Sequence, residues 1–560
     1  MPNKSYFKNI LILVALGMLF FVLGNNILSF TNPDEVFYSQ TAREMAQHKT
    51  WMVPYLFGQP QFEKPIFTYW CIRLGYLLFG ETPFAARFFP ALFALIGCLT
   101  VFVWINRVFK DQRKAMICAL VLMTMGMFIG LGRTVFTDMI FSIWILLAMA
   151  FFYSSYIAPP DKKQTAILSF FACSALAVLT KGLLGIVFPL AAIFLFFLIG
   201  GHVPDSANNR GTRYMSPYLW GGIVFLLIVL PWYMYMAKMY GHAFIHEFFY
   251  NDHIRRILEA EHRSSDRWYF YPMVMVGGTF PWSFLTVGAF FYIAKQLKEK
   301  KADPLYLYLT CWVVAMFAIV QVAHSKLASY IFPVFPALAV MVGIWLDSLL
   351  KKNDSKILKV FLWISLFQIF LIPVVLELFA RGVIKFNYYA YLPDSSVINK
   401  IALMVSLAAV GLLVLILKKK YQWGVVLTAL QIPLFFVMAM ASIKTVEPYV
   451  SSQQACEYLM THYQVGSTLL TSKLYARGTR LYTDKDIAVI DSGDNYFSPH
   501  PIPYLNSQEK VLAFLKDNPA IYGLVKDGDL KTLEKYVSGQ YHVSFLNKIG
   551  DENIIRLSVD

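Results

Sequence analysis

The sequence predicts an all-α polytopic membrane protein with a small α/β domain at its C-terminal end, and three observations carry that prediction. Of 560 residues, 58% are hydrophobic and only 15% charged, a composition outside the range of ordinary soluble domains. Apolar runs of about 20 residues recur along the first 445 positions, the length a helix needs to cross the hydrocarbon of a bilayer. After about Val446 the runs stop and short amphipathic stretches replace them. Irregular backbone cannot face lipid, so the spans are expected to be helices.

The first run, Ile10 to Phe30, follows Lys4 and Lys8 as a signal sequence would, but it is longer than a signal core and has no small-x-small cleavage site. It reads as an uncleaved anchor. Further spans are expected near 84–105, 115–132, 136–157, 165–180, 183–200, 218–238, 273–294, 305–323, 328–349, 357–378, 400–417 and 422–443, about thirteen in all. With a cytoplasmic N-terminus, the basic clusters Arg107 to Lys114, Lys162 and Lys163, Arg210 and Arg213, Lys295 to Lys301, Lys351 to Lys356, and Lys418 to Lys420 all fall inside. That is the positive-inside pattern, and it gives the net charge of +15 a topological meaning instead of a nucleic-acid partner. An odd number of spans then places the C-terminus outside.

Two outside loops are long, 31–83 and 239–272, and both are rich in charges and aromatics. The tail, 446–560, alternates helix-like stretches (Ser452 to Tyr463, Ser507 to Lys516) with strand-like ones (Ser467 to Thr471, Ala488 to Asp491, His542 to Phe545, Ile554 to Val559). Six cysteines show no spacing suited to a metal knuckle or a disulfide framework. No internal repeat is visible.

Orientation does not explain the charges left on the outer side. Ionisable groups near membrane depth are costly unless paired or solvated, and they often mark a ligand path. Snorkelling and helix capping compete with that reading at each position. In Asn32-Pro33-Asp34-Glu35, Asn32 suits an N-cap, Pro33 a first helical position, and both carboxylates complement a helix dipole. The functional reading makes Asp34 the group that orients or deprotonates an acceptor, with Glu35 beside it favouring one partly protonated carboxyl. Glu63 and Lys64, before Pro65, read either as a surface ion pair or as a cation for phosphate with a carboxylate that can hold a metal ion. Asp138 lies just inside a span, where a structural pair with Arg133 competes with a cavity role. The run NDHIRRILEAEHR supplies His253, Arg255, Arg256, His262 and Arg263 on the outer side, where anion binding explains them most simply. Lys326 and Tyr330, four residues apart, are expected on one helix face, where ammonium and phenol reach one ligand.

These motifs together resemble the GT-C superfamily of lipid-linked-sugar glycosyltransferases (protein-mannosyltransferase-like), and most of all the lipid A 4-amino-4-deoxy-L-arabinose transferases. The resemblance is carried, in order, by DEVFYSQTAREM (Asp34 to Met45), QFEKPIFTYW (Gln61 to Trp70), TDMIF (Thr137 to Phe141), LTKG (Leu179 to Gly182), LPW (Leu230 to Trp232), DHIRR (Asp252 to Arg256), EHR followed by WYFYP (Glu261 to Pro272), PW (Pro281 and Trp282) and SKLASYIFPVFPALA (Ser325 to Ala339). It spans roughly the first 340 residues, and so ordered a set is far more specific than any one motif. It departs at Phe37, where the family has an arginine, at Gln40, where it has an acid, and at HSKLASY (His324 to Tyr330) in place of KGKLPTY.

The resemblance implies a bacterial inner-membrane enzyme with its active site and C-terminal domain in the periplasm. The donor would be an undecaprenyl-phosphate-linked sugar, aminoarabinose or a relative, and the acceptor a lipid A phosphate or another envelope glycan or lipid. Asp34 and Asp138, with Glu35 beside them, would be the catalytic acids. Lys64, Arg256, Lys326 and Tyr330, with His262 and Arg263, would approach the donor phosphate. No cofactor is obligatory; Glu63 is the place for a divalent ion (Zn, Mg or Mn) if one is used. Membrane lipids are partners, nucleic acid is not. Two alternatives stay open at this point: a transferase of the same fold acting on protein or another envelope glycan, and a transporter or flippase for a lipid-linked sugar. A transporter tends to show repeat symmetry and midplane polar sites, whereas the polar residues here gather at the outer ends.

Overall fold

A computed structural model of the chain describes residues 4–200, 211–255, 258–259, 265–299, 303–352, 355–381, 383, 395–441, 443–491 and 502–559. Among these, eight helices are long and apolar enough to cross a membrane: Lys4–Val22, Pro83–Phe109, Thr137–Ile157, Lys162–Lys181, Pro217–Asn251, Pro304–Val322, Ala328–Lys352 and Lys356–Val375. Two bent pairs, Gln112–Met123 with Gly126–Gly132 (67°) and Phe270–Gly278 with Ser283–Lys298 (109°), raise the number to ten if each is one span. The remaining expected spans fall on apolar helices shorter than that, Leu184–Ile199, Ala402–Leu417 and Tyr421–Phe436. Each expected span therefore meets an apolar helix or a bent pair, while length and apolarity support eight to ten crossings among the described residues.

Helix starts follow local chemistry. The Thr82 side chain accepts from the Ala85 amide ahead of Pro83, Asp111 accepts from Lys114, and Asp303 caps the helix that opens with Pro304. The first helix ends at Val22 instead of Phe30, because two arginines from later helices take its trailing carbonyls. Arg133 donates to Phe20 and Leu23 at 2.9 and 2.8 Å, and Arg87 to Asn25, Leu28 and Ser29 at 2.6 to 2.9 Å. Irregular backbone at this depth is tolerable because protein donors satisfy it.

Two of the basic loops expected on one side, 107–114 and 351–356, do meet. Lys351 bridges Asp111 (2.6 Å) and Asp347 (2.9 Å), Arg113 adds a contact of 3.5 Å to Asp347, and Asn9 of the first helix donates to Gln112. The start of the first helix therefore lies at the basic end of the bundle, and the residues that follow that helix lie at the opposite end. One large apolar core runs through the spans. All six cysteines are buried and free, as their spacing predicted.

In the tail, strands β3 (Thr468–Ser472), β4 (Asp486–Ile490), β5 (Tyr504–Leu505), β6 (Ala520–Val525), β7 (His542–Ile549) and β8 (Glu552–Ser558) form one sheet in the order β5-β4-β3-β6-β8-β7. The first four are mutually parallel, and β8 runs antiparallel to both β6 and β7. Alternation along β3 sends Leu470 to the face covered by Gln508–Asp517 and Asp527–Val537, and Leu469 to the face covered by Gln453–His462 and Ala476–Thr483. A short hairpin, β1 (Tyr55–Leu56) with β2 (Gln59–Pro60), lies in the first long loop.

The tail docks against the chain that enters the helix Asp34–Gln47. The Asn32 amide donates to the Val450 carbonyl, the Asn32 side chain to Ser452 Oγ at 2.7 Å, the Phe30 amide to the Tyr482 hydroxyl, and Arg43 to the Leu481 carbonyl. Asn32 is therefore not the expected N-cap: Pro33 occupies that position without a side-chain bond, and the Asn32 amide is turned to the tail.

Candidate active site

A second apolar cluster fixes the relative placement of the segments that bear the candidate residues. It joins Val36, Phe37 and Tyr38 beside Asp34, Ile66 and Tyr69 beside Lys64, Val135 before Asp138, Leu179 before Lys181, and Trp232, Phe244 and Phe248 from the second long loop and its helix. Buried bonds lock the frame: Gln61 donates to the Tyr69 hydroxyl at 2.6 Å and the Trp232 indole to the Met52 carbonyl at 2.8 Å.

The Thr137–Ile157 helix and the Pro160–Lys181 helix form an antiparallel hairpin of two near-equal arms, each about 30 Å long at about 1.5 Å per residue. Equal arms return the end of the second helix to the start of the first. Asp138 thus sits in the first turn of one helix and Lys181 in the last turn of the other, where the dipoles favour an acid and a base respectively. Gly182, at φ 83°, ends the second helix immediately after the lysine. The two side chains form an ion pair that is almost fully buried. Lys181 Nζ also lies 4.6 Å from the centre of the Tyr330 ring, a cation–π distance. The structural partner considered for Asp138, Arg133, instead binds backbone carbonyls.

Tyr38 connects this pair to Asp34. Its phenol is hydrogen-bonded to Thr137, and its pKa stands well above the usual value, through burial first and then the charges of Tyr69, Asp138 and Asp34. The phenol therefore stays neutral, within reach of the charges of both carboxylates. Asp34 begins its helix and is exposed, while Asp138 is 4% exposed. One carboxylate faces outward and one lines the interior.

Glu35, expected beside Asp34 among the catalytic acids, is placed in a buried ion pair with Arg87. Its carboxylate is 1% exposed and takes both Arg87 bonds, at 2.6 and 2.8 Å, together with the Thr31 amide and hydroxyl and the Val135 amide. Burial would raise its pKa, but the Arg87 charge and these donors outweigh burial and hold it below the usual range. Its oxygens are taken up by Arg87, Thr31 and Val135.

Glu63 and Lys64 are half-buried in the loop before the helix Phe67–Phe79, where Lys64 Nζ donates to the Glu63 carbonyl at 3.0 Å. Among the described residues no group of three or more His, Cys, Asp or Glu lies close enough to hold a metal ion. Lys326 and Tyr330 do not share a helix face. The chain is extended at Leu327, and the 3-10 turn begins only at Ala328. The buried Lys326 ammonium pairs with Asp266, which also contacts His324 at 2.8 Å, whereas Tyr330 stands over Lys181. Arg256, His262 and Arg263 lie outside the described residues; Arg255 pairs with Glu259 at 2.8 Å.

A family model described as dolichyl-phosphate-mannose-protein mannosyltransferase matches residues 8–246. The undecaprenyl phosphate-alpha-4-amino-4-deoxy-L-arabinose arabinosyl transferase of Pectobacterium atrosepticum is 27% identical over 439 residues, 76% of this chain and 74% of that protein. The enzyme of the same name from Aeromonas hydrophila is 30% identical over 356 residues, 62% of each chain. The crystal structure of ArnT from Cupriavidus metallidurans bound to undecaprenyl phosphate superposes with a TM-score of 0.77 at 20% identity, over 99% of this chain and 98% of that one. That likeness extends through the tail domain and shows a common fold. Family model, relatives and fold agree with the motifs read in sequence: the chain is a multi-pass membrane glycosyltransferase, similar to the aminoarabinose transferases.

Proposed function

We propose that the protein transfers a sugar, 4-amino-4-deoxy-L-arabinose or a close relative, from undecaprenyl phosphate to a lipid A phosphate or a similar anionic envelope acceptor. The observation that carries this reading is the convergence of an exposed acid, Asp34, with a buried acid–base pair, Asp138 and Lys181, through one neutral phenol, Tyr38. The names of the relatives support the donor and the sugar. The separation of the basic loops from Asp34 supports an inner-membrane protein with a cytoplasmic N-terminus and a periplasmic site and tail.

In this reaction the acceptor oxygen attacks the anomeric carbon, the bond from that carbon to the donor phosphate oxygen breaks, and undecaprenyl phosphate leaves. Cations at the leaving oxygen stabilise the charge that develops there, the larger catalytic contribution in a dry cavity. Lys64, Arg256 and Lys181, with Tyr330, are the residues assigned to that side. Lys181 takes the place expected for Lys326, since it, and not Lys326, stands against Tyr330. Asp138 holds Lys181 in position before the lipid arrives. An acceptor phosphate, with a second pKa of about 6, is already mostly ionised, so Asp34 orients it; a hydroxyl acceptor would need Asp34 as base.

The test is transfer by the purified protein from a short-chain polyprenyl-phosphate sugar to lipid A, followed by mass spectrometry of the product. Mass spectrometry of lipid A from a deletion strain is the cellular counterpart. Transfer to a protein or a neutral glycan, with none to lipid A, would replace this reading by the broader one of an envelope glycosyltransferase.

A further inference from the structure

Within the proposed function, we infer that Glu44 is a positioning residue: its carboxylate ties the loop that carries Lys64, assigned to the donor phosphate, to the helix that begins at Asp34. Glu44 stands in the last turn of that helix, Asp34–Gln47, about 15 Å along the axis from Asp34 at about 1.5 Å per residue. It is 1% exposed, and among the described residues its bonds come from neutral donors: the Gly58 amide at 2.8 Å, the Phe57 amide at 3.1 Å and the Gln40 side-chain amide at 2.7 Å. A buried carboxylate is costly unless donors or a cation satisfy it, and here the tip of the β1–β2 hairpin supplies two of the three donors.

The sequence of that tip does not favour its shape. Phe57 and Gly58 both lie in the left-handed region, at φ 52° and 72°. A two-residue hairpin turn of this kind suits Asn-Gly or Gly-Gly, and a phenylalanine in its first place is strained. The Phe57 ring packs against both the cluster around Tyr38 and the tail cluster around Leu469, and the Glu44 carboxylate collects both turn amides, so the turn is held from outside. From the tip, hydrogen bonds run on to Lys64. Leu56 pairs with Gln59 and Tyr55 with Pro60, and the Gln61 amide donates to the Pro54 carbonyl at 3.0 Å. The Gln61 side chain donates to the Tyr69 hydroxyl at 2.6 Å and accepts from the Glu63 amide at 3.0 Å, one residue before Lys64. Helix, hairpin and loop thus form one hydrogen-bonded frame that sets Lys64 against Asp34. Precision matters there, since a misplacement of about 1 Å can cost about 100-fold in rate.

The test is steady-state transfer by the full-length protein in detergent, with a short-chain polyprenyl-phosphate sugar as donor and lipid A as acceptor. Glu44→Gln is expected to raise the donor KM about tenfold, the weakening of one charge-assisted bond, with less than about twofold change in the acceptor KM. A purely structural role would lower the active fraction, and with it kcat, while leaving both KM values in place. In a Lys64→Ala background the effect of Glu44→Gln on the donor KM should vanish, because the two residues act in series. If Glu44→Gln yields no folded protein, Gln40→Leu, which removes one donor and leaves both turn amides, should show the same split at about threefold. An unchanged donor KM in the folded variant, an equal rise in both KM values, or a full Glu44→Gln effect in the absence of Lys64 would overturn the assignment alone. A donor KM unmoved by Lys64→Ala would overturn the donor side of the proposed function and this assignment together.

Discussion

Glu35 and Arg87, 52 residues apart in sequence, close a buried two-bond ion pair at 2.6 and 2.8 Å, whereas Asp34, the other member of the doublet, is exposed. Arg87 also holds three carbonyls of the irregular chain between Asn25 and Ser29. Breaking a buried pair by removing one partner leaves an uncompensated charge and costs about 3 to 5 kcal/mol. Glu35→Ala and Arg87→Ala should therefore lower the thermal unfolding midpoint sharply and reduce monodisperse yield in detergent. Wild-type stability in either variant would show the pair to be incidental.

A different signature is expected at the hairpin terminus. Lys181→Met removes the cation at Tyr330 and strands Asp138. If Lys181 contacts the donor phosphate, donor turnover should fall on the order of 100-fold, since a charge-assisted bond to a desolvated group contributes a few kcal/mol. Donor binding measured by titration should weaken in parallel. Lys326→Met, which breaks a pair with Asp266 instead, should cost far less in donor binding.

The tail contains a pH-dependent element. Glu552, 2% exposed, has its pKa pushed up to about 8 by burial, with Asp551 adding to the rise and Ser452 and Lys526 opposing it. A carboxyl raised in the folded state stabilises fully below its unfolded value of about 4.5, and that contribution is lost as pH climbs through about 8. The full-length protein should thus unfold more readily at pH 9 than at pH 6 by the tail's contribution, and Glu552→Gln should flatten that dependence. Differential scanning at several pH values in matched salt reads it directly. Because Ser452 also binds Asn32, loss of tail packing at high pH should loosen the chain entering Asp34.

The spans were legible because composition alone demands them, and the basic loops because their charges have one orientation rule to obey. The tail strands β3, β4, β7 and β8 and two of its helices were legible from alternation, while β6 and the helices Ala476–Thr483 and Asp527–Val537 carried too little pattern to stand out. Asp34, Lys64 and Asp138 were readable as charges that orientation does not explain. Arg87 was not, because it lies inside an apolar run and its partner is far away in sequence. The spacing of Lys326 and Tyr330 misled: four residues imply one face only if the backbone is helical, and the backbone at Leu327 is extended. Tyr38 offered no signal at all, since a tyrosine among aromatics acquires its neighbours, Thr137 and the two carboxylates, only from tertiary placement.

The central claim is that Asp34 acts through its carboxylate while Glu35 acts through its ion pair, and one substitution tests it most directly. Asp34→Asn conserves volume at an exposed helix start, so the purified variant should keep the wild-type unfolding midpoint while transfer from an undecaprenyl-phosphate sugar falls by about 100-fold or more. Full transfer by folded Asp34→Asn protein would contradict the account.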